Sequence, residues 1–278
     1  MSGTLFIVAT PIGNLEDLAP RARQTLATVD LIAAEDTRHT GRLLSHFGIK
    51  TRLYALHDHN EEESAESLVA ELANGRSVAL VSDAGTPLLS DPGYRLVRAA
   101  HRDGVPVSPI PGPSALTTAL SVAGLPTDRF CFEGFLPAKA KARRDVLASL
   151  VNEPRTMIFY ESVHRIEKTL EDLVSIFGAG RPAFIGRELS KMYEQCVQAR
   201  LDELLDQLVN GTIPGKGEFV LVVGGSTVAE TSSVDIDRLL VELADKLPGK
   251  EVAKVISRAT GEKRNALYER LLVLRDRG

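Results

Sequence analysis

The chain has 278 residues, 44% of them hydrophobic and 25% charged, with a formal net charge of −4. This is the make-up of a globular protein long enough for two cores, and no apolar run approaches the roughly 20 residues that cross a bilayer. Two cysteines, Cys131 and Cys196, point to neither a disulfide framework nor a zinc site. With an N-terminus that runs straight into a strand, they imply a cytoplasmic protein. The acidic total argues against indiscriminate nucleic-acid binding but leaves room for local basic patches.

Leu5–Ala9 reads as a buried strand, Ala19–Ala27 as a helix, Val29–Ala34 as a strand and Thr40–Phe47 as a helix. Leu53–Leu56, Val78–Val81 and Val105–Ile110 read as further strands, with helices at Glu61–Ala73 and Tyr94–His101. Such alternation predicts βαβ units and a parallel sheet. After a helix near Ser114–Val122 the rhythm changes. Phe130–Phe135, Thr156–Tyr160, Ala183–Arg187, Cys196–Ala199 and Phe219–Val223 predict a second, mixed sheet, with helices near 140–151, 163–176 and 201–209. The fold class expected is therefore α/β with domains at 1–113 and 114–227, and Gly224–Ser233 has linker composition. Residues 234–278 form a third part. Ile236–Leu247, Glu251–Ala259 and Arg264–Leu274 predict three short helices, broken by Pro248-Gly249 and Gly261. They fit a helix-turn-helix presenting Lys263 and Arg264 to nucleic acid, or a plain three-helix cap.

Two loops carry most of the chemical information. Val78–Val81 runs into Ser82-Asp83-Ala84-Gly85-Thr86-Pro87, and Val105–Ile110 into Pro111-Gly112-Pro113-Ser114-Ala115. Loops at the carboxyl ends of parallel strands are where open α/β sheets bind ligands. Gly85 and Gly112 permit close backbone approach, while Pro87, Pro111 and Pro113 hold the shape. No metal cluster, reactive cysteine or phosphate-facing lysine accompanies them, so a neutral or zwitterionic cofactor is expected rather than a triphosphate. Elsewhere, Lys139, Lys141, Arg143 and Arg144 place four positive charges in six residues. A one-sign cluster favours phosphate contact over simple solvation, and Arg38 and Arg42, a helical turn apart, extend the candidate RNA surface.

Six segments occur in an informative order: Thr10-Pro11-Ile12-Gly13-Asn14-Leu15, Ala34-Glu35-Asp36-Thr37-Arg38, Leu56-His57-Asp58-His59-Asn60, Ser82–Pro87, Pro111–Ala115 and Phe159-Tyr160-Glu161-Ser162. Together they resemble the ribosomal-RNA-modifying branch of the tetrapyrrole (precorrin/corrin) methylase family over nearly the whole chain. The resemblance implies two α/β domains with a helix-turn-helix-like tail, a homodimer, and S-adenosylmethionine (SAM) in the cleft between the domains. It further implies 2′-O-methylation of a cytidine in the decoding region of 16S rRNA in the assembled 30S subunit. Carried over position by position, Ile12, Ala84, Gly85, Thr86, Leu89, Ser114 and Ala115 approach the cofactor, and Tyr160, Glu161 and Glu188 form the second domain's side. The tetrapyrrole enzymes commonly have Gly-Asp-Pro where this chain has Gly85-Thr86-Pro87, and Asp83 is close enough to supply the missing acid.

A ribose 2′-OH is a poor nucleophile while protonated, so a positioned base is expected to help by about 10²–10⁴-fold. Asp36 follows the second strand and His57 the third, at the same sheet edge as the cofactor loops. In the tetrapyrrole relatives an acid/base carboxylate stands at the position of Asp36 and a proton-donating lysine at that of His57, which makes Asp36, with His57 hydrogen-bonded nearby, the candidate catalytic pair. The alternative is that Asp36 merely caps the following helix. Tyr160 is open to a similar choice between stacking on a ligand and packing in the core. A tetrapyrrole methylase and a non-catalytic RNA-binding module compete as functions. The basic segment and the tail favour RNA, and the intact cofactor loops favour catalysis.

Overall fold

Short apolar runs build the first sheet: β1 (Leu5–Val8), β2 (Leu31–Ala34), β3 (Leu53–Ala55), β4 (Val78–Val81) and β5 (Val107–Ile110). All pair in parallel, in the order β3-β2-β4-β1-β5. β2 and β4 are buried along their whole length, which is why they read as continuous apolar runs rather than alternating ones. Helices α1 (Pro20–Thr28) and α2 (Thr37–His46) pack on one face through Ala22, Leu26 and Leu44. On the other face, α3 (Glu61–Ala73) and α4 (Tyr94–Arg102) pack through Leu68, Leu72 and Leu96. The computed structural model describes residues 2–57, 61–226 and 236–275, so Asp58-His59-Asn60 and most of the expected linker lie outside the described residues.

This winding fixes where a ligand can sit. β1 and β4 are neighbours, yet the chain leaves β1 through α1 on one face and β4 through α4 on the other. The loops diverge and open a crevice at the strands' carboxyl ends. Local chemistry sets the helix starts. Pro20 occupies the first turn of α1 and Asp36 caps α2, so α2 begins at Thr37 rather than at the expected Thr40. The three glutamates that open α3 face its positive end, and Glu61 Oε1 also accepts from the N–H groups of Gly93 and Arg95 at the start of α4.

The second sheet holds β6 (Phe130–Phe135), β7 (Thr156–Ser162), β8 (Pro182–Arg187), β9 (Gln195–Arg200) and β10 (Glu218–Val223), in the order β6-β7-β10-β8-β9. Only β6 and β7 pair in parallel, with a bulge between Phe132 and Gly134. Helices α6 (Ala140–Leu150), α7 (Ile166–Phe177) and α8 (Leu201–Val209) bury Leu147, Leu170 and Leu204 against one face. The other face receives α5 (Ala115–Val122) through Leu116, Ala119 and Leu120. Ile12, from the loop after β1, joins that same cluster, so one residue of the first sheet's loop is part of the second sheet's core.

Residues 227–278 form a separate unit. Within it α9 (Ile236–Ala244), α10 (Gly249–Thr260) and α11 (Arg264–Arg275) surround Leu240, Val252, Ile256, Leu267 and Leu271. α10 ends at Gly261, whose φ of +77° places it in the left-handed region that glycine tolerates. Among the described residues no helix is long and apolar enough to cross a membrane.

Candidate active site

The three loops at the crevice are bonded to one another. Thr10 N–H donates to Gly85 O at 2.9 Å and Gly85 N–H to Thr10 O at 3.0 Å, while Thr86 Oγ1 donates to Pro113 O at 3.1 Å. Gly85 has a φ of +81°, a conformation that costs an L-residue about 1–2 kcal/mol. Leu88 and Ser90 hold φ values of 72° and 71° without being glycine. Strain of this kind persists only where its surroundings over-determine it, and it concentrates at ligand sites.

A cavity of about 390 Å³ lies between these loops and the second sheet. Ile12, Asp83, Ala84, Gly85, Thr86, Leu89, Ser114, Ala115, Tyr160 and Glu161 line it, together with Phe135, Phe219 and Val220. Its charged lining residues are Glu35, Asp83, Asp91, Glu161 and Glu218, with no Lys, Arg or His among the described ones. Glu161 and Glu218 are ion-paired with Arg165 and Lys191, and the remaining acidic excess favours a cation over a phosphate group. SAM, with its sulfonium and ammonium charges, fits it. Ser114 Oγ is buried at the head of α5 near the Tyr160 phenol and makes no well-formed hydrogen bond among the described residues, so it is available to a polar ligand atom. Tyr160 resolves into both of its readings. It lines the cavity, and its ring also meets Phe132 and Phe135 edge-on at 4.9 and 5.6 Å. Burial pushes its phenol pKa up, and the Leu116 N–H that its oxygen accepts offsets this only in part.

Ser114→Ala is expected to change the stability of the ligand-free protein by less than about 1 kcal/mol, since the hydroxyl makes no well-formed hydrogen bond among the described residues. SAM affinity should fall by about 2–10-fold, the worth of one net hydrogen bond. Thermal unfolding with and without SAM reads both effects.

Two of the expected cofactor residues are held by bonds of their own. The carboxylate of Glu161 faces α7, accepting from Thr169 Oγ1 at 2.6 Å and pairing with Arg165 at 2.6 Å, so it braces the wall that Glu161 lines. Glu188 does not line the cavity. It sits at φ +50°, accepts from Glu218 N–H at 2.9 Å and pairs with Lys191 at 3.0 Å. Burial acts to raise its pKa, but those donors outweigh it and hold the carboxyl below its ordinary value.

A second cavity of about 290 Å³ adjoins the first and shares Ile12, Asp83, Ala84 and Glu218 with it. Its other walls include His39, Arg42 and Leu43 of α2, and Lys191. Asp83 thus faces both spaces. Asp36 lines neither. Its Oδ1 accepts the N–H groups of Arg38 at 2.7 Å and His39 at 3.3 Å, which hold its pKa below the usual value. Its own N–H donates to Asp83 Oδ1 at 3.1 Å. The β2–β3 register pairs Ala34 with Ala55, so Asp36 and His57 each lie two residues past the same rung, but His57 is exposed and also lines neither cavity. Glu35, His39, Lys191 and Glu218 were not named as site residues. Glu35 stands inside the Ala34–Arg38 segment beside the more conspicuous Asp36, while His39, Lys191 and Glu218 stand in no motif and reach the cavities only through packing.

The basic segment divides. Lys139, Lys141 and Arg144 are exposed, whereas Arg143 is 3% exposed with Nε 2.7 Å from Asp172 Oδ2. Positions 143 and 147 share a helix face, and Leu147 is in the core, so Arg143 points inward and leaves the RNA-facing set. Arg143→Ala is expected to cost about 1.5–3 kcal/mol, the worth of a charge-assisted hydrogen bond, since Arg144 remains 3.7 Å from Asp172. A denaturant melt checks this, and an unchanged midpoint would contradict it. Arg38 and Arg42 are exposed on α2.

The model for "Tetrapyrrole (Corrin/Porphyrin) Methylases" matches residues 4–205, and that for "RsmI C-terminal HTH domain" matches residues 230–275. The chain is 54% identical over 268 residues to the "Ribosomal RNA small subunit methyltransferase I" of Escherichia coli O157:H7, covering 96% of this chain and 94% of that one. Against the protein so named from Xylella fastidiosa strain Temecula1 it is 54% identical over 267 residues, covering 96% and 98%. Among solved structures, uroporphyrin-III C-methyltransferase from Thermus thermophilus in complex with S-adenosylhomocysteine superposes with a TM-score of 0.54 at 20% identity. The superposition covers 80% of this chain and 97% of that one.

Proposed function

Because the chain belongs to the tetrapyrrole (corrin/porphyrin) methylase family, we propose that it transfers a methyl group from SAM to the ribose 2′-oxygen of a cytidine in the decoding region of 16S rRNA. The assembled 30S subunit is the substrate and a homodimer the working form. Methylation of ribosomal RNA is supported above all by the full-length likeness to proteins named for it. The cytidine and its 2′-oxygen rest on the ordered sequence segments.

SAM supplies a methyl group already activated on a positive sulfur, so the protein's task is mainly alignment. The acidic lining of the larger cavity matches that charge, and Leu89, Phe135 and Phe219 help to keep water from it. The smaller cavity admits the acceptor ribose. Asp83 stands on the wall common to both cavities, with one oxygen oriented by the Asp36 N–H. That position, rather than the capping position of Asp36, suits the group that takes the 2′-OH proton. Asp36 holds the start of α2 and the orientation of Asp83.

The test is transfer of labelled methyl from SAM to 30S subunits from cells lacking this gene, with nuclease mapping. Label in a single 2′-O-methylcytidine is expected. SAM binding without incorporation would move the assignment to a small-molecule acceptor.

A further inference from the structure

The two helical layers of the first sheet differ in charge. The α3–α4 layer mixes signs and pairs them, with Arg95 on Glu62 at 2.6 Å and on Glu61 at 3.8 Å, and Arg102 on Asp103 at 2.7 Å. In the α1–α2 layer neither helix contains a carboxylate. Arg21, Arg23, Arg38 and Arg42 are exposed on it, and the segment leading to β3 adds exposed Lys50 and Arg52. None of these six cations is ion-paired among the described residues.

Packing joins the parts of this layer into one surface. The Arg23 guanidinium lies over the Phe47 ring at 5.2 Å, and Thr51 Oγ1 donates to Leu26 O at 2.7 Å. Its inner edge reaches the site, since Arg42 and His39 line the smaller cavity. Unpaired cations of one sign on a chain of net charge −4 repel one another and form a field suited to a polyanion. The α6 cluster is weaker on the same criterion, because Asp172 holds Arg143 at 2.7 Å and lies 3.7 Å from Arg144.

We propose that the α1–α2 layer is the surface on which the RNA backbone docks, its phosphates spread over these six cations. The acceptor nucleotide passes Arg42 and His39 into the smaller cavity. This inference rests on the rRNA reading above and assigns where the substrate lies.

Two charge reversals test it, Arg21→Glu with Lys50→Glu, and Arg38→Glu with Arg42→Glu, measured against a 16S rRNA fragment and 30S subunits over a salt series. Each pair should weaken binding at least about tenfold and flatten the salt dependence by roughly 0.7–0.9 per lost contact. SAM affinity should stay unchanged, which shows the fold intact. Arg21→Lys with Lys50→Arg should bind as wild type, and Lys139→Glu with Lys141→Glu should weaken binding less than either reversal. If wild type methylates rRNA and both reversals bind it normally, the surface assignment is wrong and the function stands. A wild type that neither binds nor methylates rRNA sinks both. Reversals that disrupt self-association and leave RNA affinity intact would make this layer a contact between copies, and the RNA assignment would fall.

Discussion

Valine in place of Gly85 is expected to reduce SAM affinity at least about 100-fold, equivalent to roughly 2.7 kcal/mol, while leaving a folded chain. A Cβ at Gly85 would stand 3.3 Å from Ile12 Cγ2, 3.7 Å from Pro113 O and 3.9 Å from Ser114 Cα, where the three loops converge. Branching adds two methyl groups at that junction. The φ of +81° also disfavours any β-branched residue, so the loop must shift and strain its reciprocal hydrogen bonds with Thr10. Gly104→Val is the matched control. Gly104 has a φ of +69° and nothing within 4 Å of its would-be Cβ, so it incurs the strain without obstructing the cavity. Both variants should lose Tm, but only the Gly85 variant should lose calorimetric SAM binding. Equal SAM affinity in the two would show that the cofactor does not lie against this loop.

Asp83→Asn is expected to lower kcat for methyl transfer by at least about 100-fold, within the range typical of a lost general base. Asparagine still offers an oxygen to the Asp36 N–H, so the local fold should survive. Asp36→Asn should change kcat less than about fivefold, because asparagine caps a helix as well as aspartate does. If Asp83 instead serves only to hold the cofactor's ammonium group, its loss would appear in KM for SAM with kcat retained. A large fall in kcat for Asp36→Asn with Asp83→Asn near wild type would restore Asp36 as the base.

An apolar run ending in a Gly/Pro turn is a local signal, since strand burial and turn chemistry both act within a few residues. The loops at Ser82–Pro87 and Pro111–Ala115 were therefore legible as lying at one sheet edge, and most of the expected cofactor residues do line one cavity. Asp36 carried two meanings, because the features that mark a cap also mark a carboxylate at a sheet edge. Arg143 looked like its neighbours along the chain. Helical periodicity turned it toward Leu147 and Asp172, and a four-residue charge count does not register periodicity. Glu188 was placed at the cofactor by position. Its bonds to Lys191 and to the start of β10 come from a return loop that no spacing announces.

The sequence by itself determined the two sheets, the loops that line the larger cavity and the three-helix tail, since periodicity, burial and turn residues are written in short range. Only the tertiary structure decided which carboxylate stands between the two cavities, and that Lys191 and α2 wall the smaller one. It also decided that the cations of α1 and α2 lie on one surface, without ion pairs among the described residues. Those relations join residues far apart in the chain, and they exist only once the neighbouring β1 and β4 send their loops to opposite faces of the sheet.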